Sequence, residues 1–189
     1  LMRDQRGSQQ AAAELLKLNL TDRRHDELLQ WSDMVLQMDR LPAPVRVQWL
    51  WMRAGVAADR ADWKASLDAV NAIANIVSGD PRVDATRILL MWRLAQLTEA
   101  REVLASSETL RMSQVGPSLA ALLNVDDAST PARPLLISFF EQLADGNVDG
   151  ARTTLASLPP MKAILKSDLE TVLSRPDINS PELSVTLRG

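Results

Sequence analysis

Apolar residues along this chain recur three and four positions apart, and the strict alternation of a half-buried strand is essentially absent. The pattern predicts an all-α protein. A first helix is expected over roughly residues 9–18, rich in Ala and Leu, and a second from Asp22 to about Met38 with Thr21 as its N-cap. Pro42 and Pro44 end that pair. A third helix, about 45–58, carries Trp49, Leu50, Trp51, Met52, Val56 and Ala57, and a fourth, about 62–77, carries Trp63, Leu67, Val70, Ile73, Ala74 and Val77. Gly79-Asp80-Pro81 closes it, with Gly as a stop and Pro as a restart. The fifth and sixth helices fall near 83–94 and 98–105, with Ile88, Leu89, Met91, Trp92, Val103 and Leu104 as the expected buried set.

Residues 106–129 are irregular. Glu108 to Gln114 reads as helical, Gly116-Pro117 interrupts it, Ser118 to Asn124 adds an apolar turn, and Val125 to Ser129 reads as a linker. Thr130-Pro131 is a cap and first turn for a helix near 131–144, and the turn Gly146-Asn147-Val148-Asp149 leads into another near 148–157. After Pro159-Pro160, a last helix at about 161–174 presents Met161, Ile164, Leu165, Leu169, Val172 and Leu173 on one face, which suits the cap of an array. The expected organisation is one helical domain over 1–175 followed by an extended or mobile tail over 176–189.

Within this pattern one segment returns after 34 residues. Ala61-Asp62-Trp63-Lys64-Ala65-Ser66-Leu67-Asp68-Ala69-Val70 is echoed by Ala95-Gln96-Leu97-Thr98-Glu99-Ala100-Arg101-Glu102-Val103-Leu104, and a third copy begins off period at Gly146. Each has a small residue, a polar one and a bulky apolar one, then a small residue and a further apolar one. That order fits a tight turn entering a helix packed on its predecessor.

The spacing resembles the tetratricopeptide repeat. The best copy runs from about Val47 to Asp80, with Leu50, Ala54, Ala57, Ala61, Ser66 and Val70 near the family's signature positions and Pro81 slightly late for the terminal proline. The copy over about Pro81 to Thr109 matches through Ala95, Ala100 and Leu104 but departs at Asp84 and Ile88; that over Arg133 to Pro159 matches through Gly146, Ala151 and Leu155, with Phe139 where a small residue is usual. The resemblance covers about half the chain. It implies antiparallel helical hairpins stacked as a right-handed solenoid, broken by the irregular segment near 106–129, and a concave groove lined by first-helix residues. On the best copy these are Gln48, Trp51, Gly55, Ala58 and Asp59, with Arg82, Arg93 and Arg133 on or beside the equivalent stripes of the other copies. A Trp with polar neighbours suits an extended peptide or a helix, and the arginines suit an acidic peptide or a carboxylate. The alternative is that Trp49 and Trp51 both pack between helices and the arginines are solvated surface charges.

Composition narrows the function classes. With 46% hydrophobic residues over 189 positions the chain can bury a continuous core, and its net charge is only −3. Residues 1–60 carry nine cations against eight anions, 61–125 six against seven, and 126–189 six against nine, so no segment has the electrostatic footprint of a nucleic-acid binder. Arginine outnumbers lysine 17 to four, a usage that fits a GC-rich bacterial genome or simple drift. No run of about 18 apolar residues is present, so no membrane span is expected. Cysteine is absent, which removes disulfides, thiolate nucleophiles and Cys-based metal sites but leaves the compartment open. The opening Leu1-Met2-Arg3-Asp4-Gln5-Arg6 does not read as a signal peptide and suggests an excised or processed fragment, so the cytoplasm is favoured and a periplasmic setting stays open if a leader was removed.

Chemistry is sparse. His25, the only histidine, sits in the charged run Asp22 to Glu27 and reads as an exposed side chain without a second nitrogen ligand or a nucleophile motif. Asp126-Asp127 reads as a linker, and the seven glycines are scattered as caps and turns with no phosphate-binding loop. No catalytic residue, metal or cofactor is expected. The expected function is a non-catalytic protein-interaction module, an adaptor, chaperone or scaffold in a setting such as a bacterial secretion or envelope assembly, with a protein or peptide as ligand. The alternatives are a helical small-molecule-binding or regulatory domain with a pocket lined by Trp, Met and Phe, an enzyme built around the His25 cluster, and a homo-oligomer pairing through Trp92, Phe139 and Phe140.

Overall fold

The computed structural model describes residues 25–38, 40–125 and 132–174, and among these every regular element is a helix. The chain divides after Val77 into two compact units. The first holds α1 (His25–Leu36), α2 (Ala43–Asp59) and α3 (Trp63–Ala74); the second holds α4 (Pro81–Arg93), α5 (Leu97–Ser106), α6 (Glu108–Arg111), α7 (Gly116–Leu122), α8 (Arg133–Ala144), α9 (Val148–Ser157) and α10 (Ala163–Leu173). The helix expected near 9–18, the Thr21 and Thr130 caps, the Asp126-Asp127 linker and the tail over 176–189 lie outside the described residues.

The all-α expectation is met, and the repeated segment has a structural counterpart. The reversals α2 to α3, α4 to α5 and α8 to α9 have one backbone geometry. Each helix ends on a residue near φ −90 to −82 and ψ 0 to 5 (Arg60, Leu94, Asp145). A single left-handed residue follows, Ala61 (φ 58), Ala95 (φ 64) or Gly146 (φ 74), and the next helix is entered through Asp62, Gln96 or Asn147 at φ near −85 and ψ 61 to 71. Two hydrogen bonds close each turn in the manner of a Schellman motif: Ala61 and Asp62 N–H donate to Ala58 and Ala57, Ala95 and Gln96 to Trp92 and Met91, and Gly146 and Asn147 to Leu143 and Gln142. Five residues past the left-handed position the incoming helix buries a small side chain, Ser66, Ala100 or Ala151. A small residue there lets two backbones approach closely.

In the first unit, α2 is buried along two stripes. Trp49, Met52 and Val56 form a core with Leu28 of α1, flanked by Leu29, Trp31, Val35, Leu36 and Val45. Leu50, Ala54 and Ala57 fall on a second stripe, and α3, which packs against α2, buries Ser66, Leu67, Val70 and Ile73 at helical spacing. This helix stops at Ala74, short of the expected Val77, because Asn75 caps it and Ile76 and Val77 turn back onto the Ile73 carbonyl.

In the second unit, Phe139 is fully buried and meets Phe140 edge to face at 5.3 Å, and Trp92 is 3% exposed. Trp92 and Phe139 therefore fill a core instead of forming an exposed pairing face. The irregular segment resolves into two short helices. Ser107 ends α5 and opens α6, and Gly116-Pro117, expected to interrupt, starts α7, with Pro in the first turn, where its missing N–H costs nothing. Gly116 has no room for a side chain, since a Cβ would lie 2.7 Å from the carbonyl oxygens of Leu110 and Arg111.

The shared turn makes a testable asymmetry. At Gly146 an added Cβ meets nothing within 4 Å, so the cost of Gly146→Ala is conformational alone; it is expected to be about 1 kcal/mol, whereas Ala95→Gly relieves the same strain and raises stability by about 0.5 kcal/mol after its entropy cost. Urea unfolding of the three proteins checks the sign.

Candidate functional site

Helical geometry places Gln48, Trp51, Gly55 and Asp59 on one strip of α2, between its two buried stripes. Gln48 is exposed, and Trp51, Gly55 and Asp59 are half-buried. A Cβ at Gly55 would meet nothing within 4 Å, so the strip is open in its middle. Trp49, by contrast, belongs to the core beside α1.

The Asp59 end of the strip is not a free carboxylate. Its Oδ2 lies 3.3 Å from His25 Nε2, and both side chains are largely covered, 20% and 15% exposed. The expectation of an exposed histidine is thereby corrected: the first turn of α1 docks on the last turn of α2 and carries His25 inward. Further pairs follow along the same seam. Arg60 bonds Asp26 and Arg53 bonds Asp33, each at 2.5 Å, and Arg46 donates to the Leu36 and Met38 carbonyls at the end of α1. Partner numbers rise along α1 as they fall along α2, which defines an antiparallel pair. Hydrogen bonding and charge from Arg60 hold the Asp26 carboxyl below its ordinary value of 3.8.

The arginines of the second unit are strung out. Arg82 is 88% exposed and folds back on Asp80, whose carboxylate caps α4 by accepting from the Arg82 N–H at 2.8 Å. Arg93, expected on an exposed stripe, is turned inward at 14% exposure and bonds Glu141 of α8. Burial pushes its pKa below the ordinary guanidinium value, and the Glu141 carboxylate opposes that shift. Arg133 is half-buried in the first turn of α8, eight residues from Glu141 and so about 12 Å along the helix. Arg93 is thus a clamp between α4 and α8, and of the three it is the one least available to a ligand.

A feature that the sequence reading passed over is an open cleft of about 660 Å³ between α9 and α10. Leu155, Leu158, Met161 and Leu173 supply apolar walls, Pro159 and Pro160 turn the chain at one end, and Arg152, Lys166 and Glu170 stand around it. Arg152 pairs with Asp149 at 3.2 Å and Lys166 with Glu170 at 3.9 Å, both largely exposed and therefore weak. The signal in the sequence was Pro159-Pro160, read only as punctuation. Among the described residues no group of three or more His, Asp or Glu is placed to hold a metal ion, and no helix is long and apolar enough to cross a membrane.

Two measurements follow from these pairs. Because the folded Asp26 pKa is depressed, its contribution is present above about pH 4 and is lost as pH falls through the lowered value; the urea midpoint of wild type therefore drops more between pH 5 and pH 3 than that of Asp26→Asn. At the other clamp, Arg93→Ala is expected to cost about 1–2 kcal/mol through lost packing and an undone half-buried pair, and Glu141→Ala about 1 kcal/mol, because it takes the compensating carboxylate from a largely covered guanidinium although Glu141 itself is 56% exposed.

No family model matches this chain, and neither a curated protein nor a solved structure matches it.

Proposed function

We propose that this chain is a non-catalytic protein-interaction module, an adaptor, chaperone or scaffold whose helical hairpins stack in a tetratricopeptide-like solenoid. The observation that carries the reading is the turn used three times with the same dihedral angles and the same buried small residue after it. A chain that repeats one supersecondary unit builds an extended surface more readily than a closed catalytic pocket. The setting that we propose is a bacterial secretion or envelope assembly. The ligand is a peptide or protein segment, with two places to bind it: the α2 strip around Trp51, where the half-buried indole offers an aromatic anchor, and the cleft between α9 and α10.

The second reading is a small-molecule or regulatory domain, which the cleft favours because its volume falls in the range of ligand pockets, about 300–1,000 Å³. Its open shape and rim of weak ion pairs suit a chain segment better than an engulfed molecule.

The test is capture from a lysate of the source organism, with wild type beside Trp51→Ala and Leu155→Asp, each checked for retained helix by circular dichroism. A defined protein held by wild type and reduced about tenfold or more by one substitution supports the interaction reading and assigns the surface. No specific protein with wild type, together with a thermal shift from a metabolite library abolished by Leu155→Asp, overturns it in favour of the second reading.

A further inference from the structure

The seam between α1 and α2 is unequal. On α2 its positions come four and three residues apart, Val45, Trp49, Met52, Val56 and Asp59, and on α1 three and four apart, His25, Leu28, Ser32 and Val35, the spacing of a heptad seam. The α2 side is apolar over four consecutive positions. On the seam line α1 answers with Leu28 and Val35, while Leu29, Trp31 and Leu36 pack from its flanks. Its other two seam positions are polar and unsatisfied. Ser32 is 0% exposed and its hydroxyl has no hydrogen-bond partner among the described residues; His25 Nε2 is buried and makes no hydrogen bond there, although Asp59 Oδ2 is 3.3 Å away. In the register set by His25 and Asp59, Ser32 comes level with Met52, so a hydroxyl stands where an aliphatic side chain would fill the seam.

The edge of the seam carries charge. Arg46, Arg53 and Arg60 are seven residues apart, a row of cations spaced about 10 Å along α2. Asp33 and Asp26, also seven apart, answer the last two, and Arg46 donates to the Leu36 and Met38 carbonyls. The two carboxylates are 52% and 86% exposed, so either pair can be exchanged for an equivalent one at little cost. We infer that α1 is a releasable cover, and that the α2 seam beneath it takes an amphipathic helix from a partner. That helix carries aliphatic residues in a three-four repeat, the place of Ser32 included, beside carboxylates seven residues apart that face Arg53 and Arg60. It reproduces the contacts of α1 and adds the one that Ser32 forfeits. Because the tethered cover occupies the seam most of the time, a helix lacking this pattern cannot compete for it. The inference rests on the protein-interaction reading, adds a third surface to it and names the ligand by its pattern.

Hydrogen exchange on the full wild-type chain reads the release directly. The most protected amides of α1 are expected to exchange about tenfold or more faster than those of α2 and α3, and Ser32→Ala to slow them about tenfold. A second arm adds a labelled synthetic peptide of residues 25–38 to the full chain carrying Leu28→Asp, which unseats the resident helix. Fluorescence anisotropy should show binding about tenfold or more tighter than to wild type, whose own α1 competes at high effective concentration. Reversing the charges with Asp26→Arg and Asp33→Arg in the peptide should cost about tenfold, recovered when the chain also carries Arg53→Asp and Arg60→Asp. One common exchange rate for the three helices, loss of more helix than α1 contains in Leu28→Asp by circular dichroism, or binding that ignores the charge reversal overturns the inference. A concentration-dependent dimer of wild type with α1 exchanged between copies also overturns it, since a second copy is then the occupant. Lysate capture tests the broader function independently: a partner lost with Trp51→Ala or Leu155→Asp, without α1 opening, sinks this inference alone, whereas opening and peptide binding with no protein captured sinks the adaptor reading.

Discussion

The fold depends on a backbone constraint: one residue in the left-handed region between two helices. With that residue at φ near 60–75 and the flanking dihedral angles fixed, the second helix can leave in only one direction relative to the first. The reversal brings a fixed position of the incoming helix, five residues on, against its predecessor, and that position must be small. Glycine is the least costly residue for such a turn, yet two of the three turns use alanine. The strain at Ala61 and Ala95 persists because each turn is closed by two backbone hydrogen bonds and followed by a buried small side chain, so the surroundings over-determine it.

The α1–α2 pair is joined differently. Its connection holds Pro42 and is longer, and the described helices are fastened by side chains: Arg46 on the carbonyls that end α1, then Arg53–Asp33, Arg60–Asp26 and His25–Asp59 toward the other end. Individually these pairs are weak where they face solvent. Their worth is in register, since sliding α1 by one turn would separate all of them while leaving the Leu28, Trp49, Met52 and Val56 cluster free to repack.

What could be read from the sequence follows the range of the interaction responsible. The three reversals were legible because their chemistry is local: Ala61, Ala95 and Gly146 lie within a few residues of the caps and small side chains that define each turn. Boundaries drifted by a few residues where competing signals met, as at Asn75, where a cap ends α3 although Ile76 and Val77 continue the apolar pattern. Arg93 was misplaced because its partner Glu141 is 48 residues away and no local pattern announces it. His25 looked exposed for the same reason, its fate being decided by Asp59 on the next helix. The cleft was illegible since its walls are set by the angle that Leu158, Pro159 and Pro160 impose between α9 and α10, whereas the sequence shows only that the chain must break there.

The Arg93–Glu141 clamp has a consequence for the order of folding. The hairpins α4–α5 and α8–α9 each close over contacts of short sequence separation, so each can form early and alone. The clamp joins residues 48 positions apart and forms only after that large loop has closed. Its energy is therefore absent from the early hairpins and present in the finished unit, which makes it a brake on unfolding and not an accelerator of assembly. Loss of that pair is therefore expected to show in the rate at which the second unit opens more than in the rate at which it forms.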